Sequence, residues 1–256
     1  MSQVLSNKLV VRISCNLVLT FALFGAVPSA AEGGEWLLWQ TTNVQLLRGE
    51  GFELAPNEDA TIVTLEHAHR WRYGDFYGFV DHLNYDQTDS RRYAEITPRL
   101  SLSKLTGATF QNGIVRDVFV AGQIEFVESV GCRYMKGLGF DLKLPGFKFF
   151  KANLFHRNNP QRADSTWQVY LAWRSEFQLG RYPFAFEGFA DFFGEEGGTT
   201  EPGQLLVPRF LFGAGKLIKQ PDYQLELGVE WQYWHNKFGV DGRTESVPQI
   251  QIKYNL

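Results

Sequence analysis

Asp75, Tyr77, Phe79 and Asp81 alternate along one short run of the chain. In an extended backbone successive side chains point to opposite faces, so these four share a face. Two flat rings between two carboxylates combine stacking surface with hydrogen-bond acceptors, which suits reversible binding of a solute with a planar part and polar hydroxyls. The mixture recurs: Asp117, Phe119, Gln123 and Glu125 share a parity, as do Glu187, Phe189 and Asp191, and Tyr170 with Arg174. Glu66, Glu95, Arg99 and Arg209 add charge to the same set of faces. Such charges set selectivity by their field or brace the fold as internal ion pairs, and Glu95 with Arg99, opposite in sign on one face, suits bracing. The candidate binding residues are therefore Tyr77, Phe79, Asp81, Glu95, Arg99, Phe119, Tyr170, Arg174, Glu187, Phe189 and Arg209. Each ring also has a plainer role open to it, as filling or as part of an interfacial aromatic belt, and Trp36, Trp39, Trp71, Trp173 and Trp231 are assigned to the belt.

Catalytic patterns are absent. A nucleophile needs a base within hydrogen-bond reach and a third group to orient it. His82 and His156 have no serine at a matching position, and no Gly-x-Ser-x-Gly elbow occurs. His67 and His69 lie two apart and share a face, but that face also carries Val63, Leu65 and Trp71, and no third ligand follows at metal-binding spacing. No metal, cofactor or catalytic residue is expected, and the protein is not expected to be an enzyme.

Strands must position these residues. From Glu95 to Leu105, Ile96, Leu100 and Leu102 fall on one face, opposite Glu95, Thr97, Arg99, Ser101 and Ser103. Tyr223 to Tyr233 repeats the pattern, with Tyr223, Leu225, Leu227, Val229, Trp231 and Tyr233 opposite Gln224, Glu226, Gly228, Glu230 and Gln232. The same alternation predicts about twelve strands near 36–47, 60–70, 74–83, 92–105, 114–126, 134–143, 147–157, 165–177, 183–193, 204–215, 222–235 and 245–256. Turn-rich segments separate them, and alternate connections are longer, those near 48–59, 84–91, 158–164, 195–203 and 236–244 exceeding those near 71–73, 144–146 and 178–182. Only 106–113 breaks that rhythm. Pro98, Pro208 and Pro248 fall inside strands, where each removes a ladder hydrogen bond, and Pro208 and Pro248 are read as marking bulges or strand ends.

A soluble sandwich and a membrane barrel both show this periodicity; they differ in whether the oily face meets a core or lipid. The chain start favours the barrel. Lys8 and Arg12, the apolar run from Ile13 to Val27 and the small residues Pro28-Ser29-Ala30-Ala31 are laid out as a cleaved secretory signal over residues 1–31. An uncleaved anchor needs ~20 apolar residues, more than this run supplies. Cleavage removes Cys15, leaving Cys132 alone and no internal disulfide, and makes the formal charge of −3 more negative. An acidic exported chain has no basic patch for nucleic acid. No later segment is apolar for ~18 residues, so a membrane location requires a closed barrel, here one domain over 32–256. The chain closes on Ile250, Ile252, Tyr254 and Leu256, an oily face such as outer-membrane barrels end on, although an aromatic last residue is commoner.

Asp75-Phe76-Tyr77-Gly78-Phe79-Val80-Asp81, then Tyr93-Ala94-Glu95-Ile96-Thr97-Pro98-Arg99-Leu100-Ser101-Leu102-Ser103-Lys104-Leu105-Thr106, resembles the nucleoside-specific outer-membrane channel family, as does Trp39-Gln40-Thr41-Thr42-Asn43-Val44. These segments cover about the first third of the chain after residue 31. The resemblance implies a transmembrane antiparallel β-barrel of twelve strands, a monomer in bacterial outer-membrane lipid, that passes small solutes such as nucleosides by diffusion. It also implies a Pro-Arg pair at Pro98 and Arg99. Two other classes stay open: a barrel enzyme acting on lipids, and a surface receptor without an open pore.

Overall fold

A computed structural model describes residues 36–53 and 58–256; the expected signal sequence lies outside them. Twelve strands form a closed antiparallel barrel in which each pairs with its sequence neighbours and the first pairs with the last. They are β1 (Leu37–Phe52), β2 (Glu58–Trp71), β3 (Gly74–Tyr85), β4 (Arg91–Ser101), β5 (Val115–Val127), β6 (Gly131–Leu142), β7 (Phe149–Asn158), β8 (Thr166–Leu179), β9 (Tyr182–Phe193), β10 (Gly203–Gly213), β11 (Leu225–His235) and β12 (Glu245–Asn255). All reach the ~9–11 residues that a tilted strand needs to cross a bilayer. Closure is made by β12 against β1, from Asn43 opposite Asn255 to Gly49 opposite Gln249.

The barrel is polar inside and oily outside. Gln45, Glu226, Glu245, Gln249 and Gln251 are almost wholly buried, whereas Val44, Leu46, Val229, Ile250 and Ile252 on the alternate parity are exposed. A soluble sandwich has the reverse arrangement, so the parity settles the architecture. No helix among the described residues is long and apolar enough to cross a membrane, a fact that bears only on helices.

Several local expectations are corrected. β4 stops at Ser101 rather than at 105, because the Ser101 side chain accepts a hydrogen bond from the Lys104 backbone N–H and caps a one-turn helix, α1 (Leu102–Thr106), which Gly107 ends in the left-handed conformation. β11 begins at Leu225 rather than 222, because residues 214–224 fold back through a 3₁₀ turn at Gly215–Ile218. That connection is nearly as long as the one holding α1, and both lie at the end where β1 starts and β12 finishes, so the rhythm of long and short connections breaks twice. Pro208 marks neither a bulge nor a strand end: like Pro98 between β4 and β5, it interrupts one ladder, β10 with β11, without changing its register. Pro248 pairs in line with Trp231. Cys132 is buried on the outer parity of β6.

Candidate functional site

Inward parity converges on a cavity of about 550 Å³ toward the end of the barrel where β1 starts and β12 finishes. That volume lies in the range of small-molecule sites. One wall is built around Arg99, which is 1% exposed. Its guanidinium donates to both oxygens of Asp75 at 2.8 and 2.6 Å and to Asp141 at 2.6 Å, and it lies over the Phe119 ring at 4.1 Å. Lys151 donates to Asp75 at 3.1 Å. Register explains the pairing, since Asp75 stands directly across β3–β4 from Arg99, and Lys151 across β6–β7 from Asp141.

The opposite wall is a second ion-pair network. Arg174 donates to Glu187, to Glu226 at 2.8 Å and to Glu176 at 2.7 Å. Lys253 reaches Glu187 at 2.7 Å, and Arg209 reaches Glu230 at 2.6 Å. Glu66 accepts from Asn43 and from the Tyr77 hydroxyl, each at 2.9 Å. Burying charges is costly unless they are paired and hydrogen-bonded, and here the pairing fixes each long side chain against its wall.

Rings lie between the two networks. Tyr170 and Phe189 are stacked with centroids 6.2 Å apart and planes 20° from parallel. Both line the cavity, as does Tyr77. A flat surface is thus presented in a space where charged and hydrogen-bonding groups stand beside apolar lining from Ala68, Phe149, Ala172 and Trp173.

Of the sequence candidates, Tyr77, Arg99, Tyr170, Arg174, Glu187, Phe189 and Arg209 line this cavity. Four do not. Phe79 is buried between Tyr77 and Tyr93, and Phe119 lies beneath Arg99. Asp81 and Glu95 sit deeper along the lumen, where Thr64 donates to Asp81 at 2.6 Å and Gln123 to Glu95 at 2.9 Å. The expected bracing of Glu95 by Arg99 does not form: Arg99 turns to the acids across the ladder, and Glu95 is held by the neutral donors Tyr93 and Gln123. Sequence reasoning missed Thr97, Lys151, Asn153 and Lys253, all on inward parity and therefore findable by the same count. It also missed Tyr223, assigned to the oily face; that ring lies in the turn before β11, with the Arg174 guanidinium 5.2 Å from its centre. His67 and His69 face outward, sharing a hydrogen bond at 3.1 Å, with His69 stacked on Phe76 at 5.1 Å. No group of three metal-ligating side chains forms among the described residues.

A family model described as "Nucleoside-specific channel-forming protein, Tsx" matches residues 35–255. No curated protein matches the chain. Among solved structures, the NanC porin is 11% identical, with a TM-score of 0.52, covering 84% of this chain and 100% of its own. The KdgM porin, solved in complex with disordered oligogalacturonate, is 8% identical with a TM-score of 0.49, covering 83% of this chain and 98% of its own. At such identity the NanC likeness concerns the fold alone, and that fold is an outer-membrane porin barrel.

Proposed function

The chain belongs to the nucleoside-specific channel-forming protein family, outer-membrane channels of bacteria, and from that membership we propose that its lumen passes nucleosides by diffusion, one barrel acting alone in outer-membrane lipid. The observation that carries this proposal is the stacked Tyr170–Phe189 pair facing the cavity between two fixed ion-pair walls. Stacking on a protein ring is worth ~1–3 kcal/mol per base, enough to hold a base briefly and weak enough to release it. Conduction requires that balance of entry and exit. Arg174, Arg209 and Glu187 supply donors and acceptors for the sugar hydroxyls without having to move, because their partners already hold them. Preorganisation of this kind lowers the entropy lost on binding.

The test is single-channel current through refolded protein in a planar bilayer, titrated with adenosine, cytidine and a sugar. Saturable block by the nucleosides, with none by the sugar, supports the proposal. Current that the sugar blocks equally well leaves a general porin, and a folded barrel without current removes the channel.

A further inference from the structure

Beyond the cavity, toward the end of the barrel opposite the start of β1 and the finish of β12, the lumen wall changes character. Asp81 lies four residues past Tyr77 on β3, Glu95 lies before Thr97 on β4, and Asp191 lies two past Phe189 on β9, so each sits on the far side of a cavity residue. Among the described residues none of the three has a lysine, arginine or histidine nitrogen within ion-pair distance. Their partners are neutral: Thr64 for Asp81, Tyr93 and Gln123 for Glu95, and Gln168 for Asp191 at 2.5 Å. The nearest cations are committed elsewhere, Arg157 to Glu125 and Glu196 and Arg209 to Glu230.

A second observation points to an occupant. Gln123 is 1% exposed, its amide N–H₂ donates to Glu95, and its Oε1 has no partner. Thr97 Oγ1, on the neighbouring strand directly behind Glu95, is buried and equally without one. Buried polar atoms are rarely left so. The level therefore carries three carboxylates and the unsatisfied Gln123 Oε1 on inward parity, with Thr97 Oγ1 at its border with the cavity. They do not converge into a chelating site, since among the described residues no three acidic or imidazole side chains come together as a metal centre. Spread oxygen ligands of this kind act on a hydrated ion through their field.

We propose that Asp81, Glu95 and Asp191 form an anionic collar that admits hydrated monovalent cations such as potassium and turns back chloride. The collar rests on the channel reading above, because it selects ions only in a conducting lumen. Its role is distinct from that of the cavity rings, which take the uncharged solute.

The experiment is the reversal potential of refolded protein in a planar bilayer of zwitterionic lipid under a dilute KCl gradient, where screening is weak. The wild-type barrel should favour potassium. Asp81→Asn/Glu95→Gln/Asp191→Asn should lower the potassium-to-chloride permeability ratio by about fivefold or more, the effect of one unit charge ~4 Å away in water. Asp81→Asn alone should move the ratio part of the way, so the result does not depend on assembly of the triple variant. A wild-type barrel that favours chloride, or variants that share its reversal potential, overturns the collar while leaving the nucleoside channel standing. A folded barrel that passes no current overturns both.

Discussion

The Arg99 guanidinium is clamped to Asp75 by two parallel hydrogen bonds at 2.8 and 2.6 Å and rests its face on the Phe119 ring. Removing one member of a buried ion pair costs up to about 3–5 kcal/mol, less here because Lys151 still donates to Asp75. Arg99→Ala should therefore lower the urea midpoint of the folded barrel, followed by its heat-modifiable band. Lysine lacks the planar fork, so Arg99→Lys should recover little of the loss. Full recovery by lysine would show that charge alone matters at this position.

Gly188 and Pro208 stand opposite each other between β9 and β10. Gly188 has φ of +152°, and a Cβ there would lie 2.3 Å from the Val207 carbonyl oxygen and 2.9 Å from Pro208 Cα. Both neighbours are backbone and cannot yield cheaply. Gly188→Ala should destabilise the barrel by at least about 1–3 kcal/mol, visible as a reduced refolded fraction at a fixed urea concentration. Wild-type refolding would show that the strands separate easily here.

The alternation that defines these strands was legible because one face meets lipid and the other the lumen, so slipping a strand by one residue exposes its charges to oil. Parity alone thus located Tyr170, Phe189, Arg174 and Arg209. It could not assign partners. Arg99 was paired by sequence with Glu95, four residues away on its own strand, yet the closed register of twelve strands puts Asp75 across from it and Asp141 within reach. Tyr223 escaped for a different reason. Its spacing continues the oily stripe of β11, but the turn after Pro221 breaks the strand first, where the Gln224 N–H bonds the Pro221 carbonyl.

Outside the lumen, Glu128 in the β5–β6 turn accepts from Arg92 at 2.5 Å on one oxygen and from the Arg92 backbone N–H at 2.9 Å on the other. The Arg92 hydrogen bond holds the Glu128 carboxyl below the ordinary glutamate range. A carboxyl depressed in the folded state stabilises above its unfolded pKa of ~4.3 and loses that contribution as pH falls through the folded value. The pair is solvated, so Glu128→Gln should cost less than about 1 kcal/mol at pH 7 and nothing once acid has titrated the wild type. Urea midpoints of the two proteins at neutral and acid pH check this, and a difference that persists in acid would mean the backbone hydrogen bond carries the effect.

Phe189 and Phe79 separate stacking on a solute from packing within the wall. Phe189 lines the cavity in parallel with Tyr170, whereas Phe79 is 8% exposed, outside the cavity and edged by Tyr77 and Tyr93. Phe189→Ala removes one layer of the stack and should weaken adenosine block by about 5- to 150-fold, the equivalent of ~1–3 kcal/mol. Phe79→Ala opens a hole in the wall and should lower stability by about 3–5 kcal/mol while leaving the block constant of the folded fraction within a few fold. The block constants come from current titrations and the stabilities from urea unfolding of the same preparations. If Phe79→Ala weakens block as much as Phe189→Ala does, the solute rests deeper in the lumen than the Tyr170–Phe189 pair, against the rings that lead to Asp81 and Glu95.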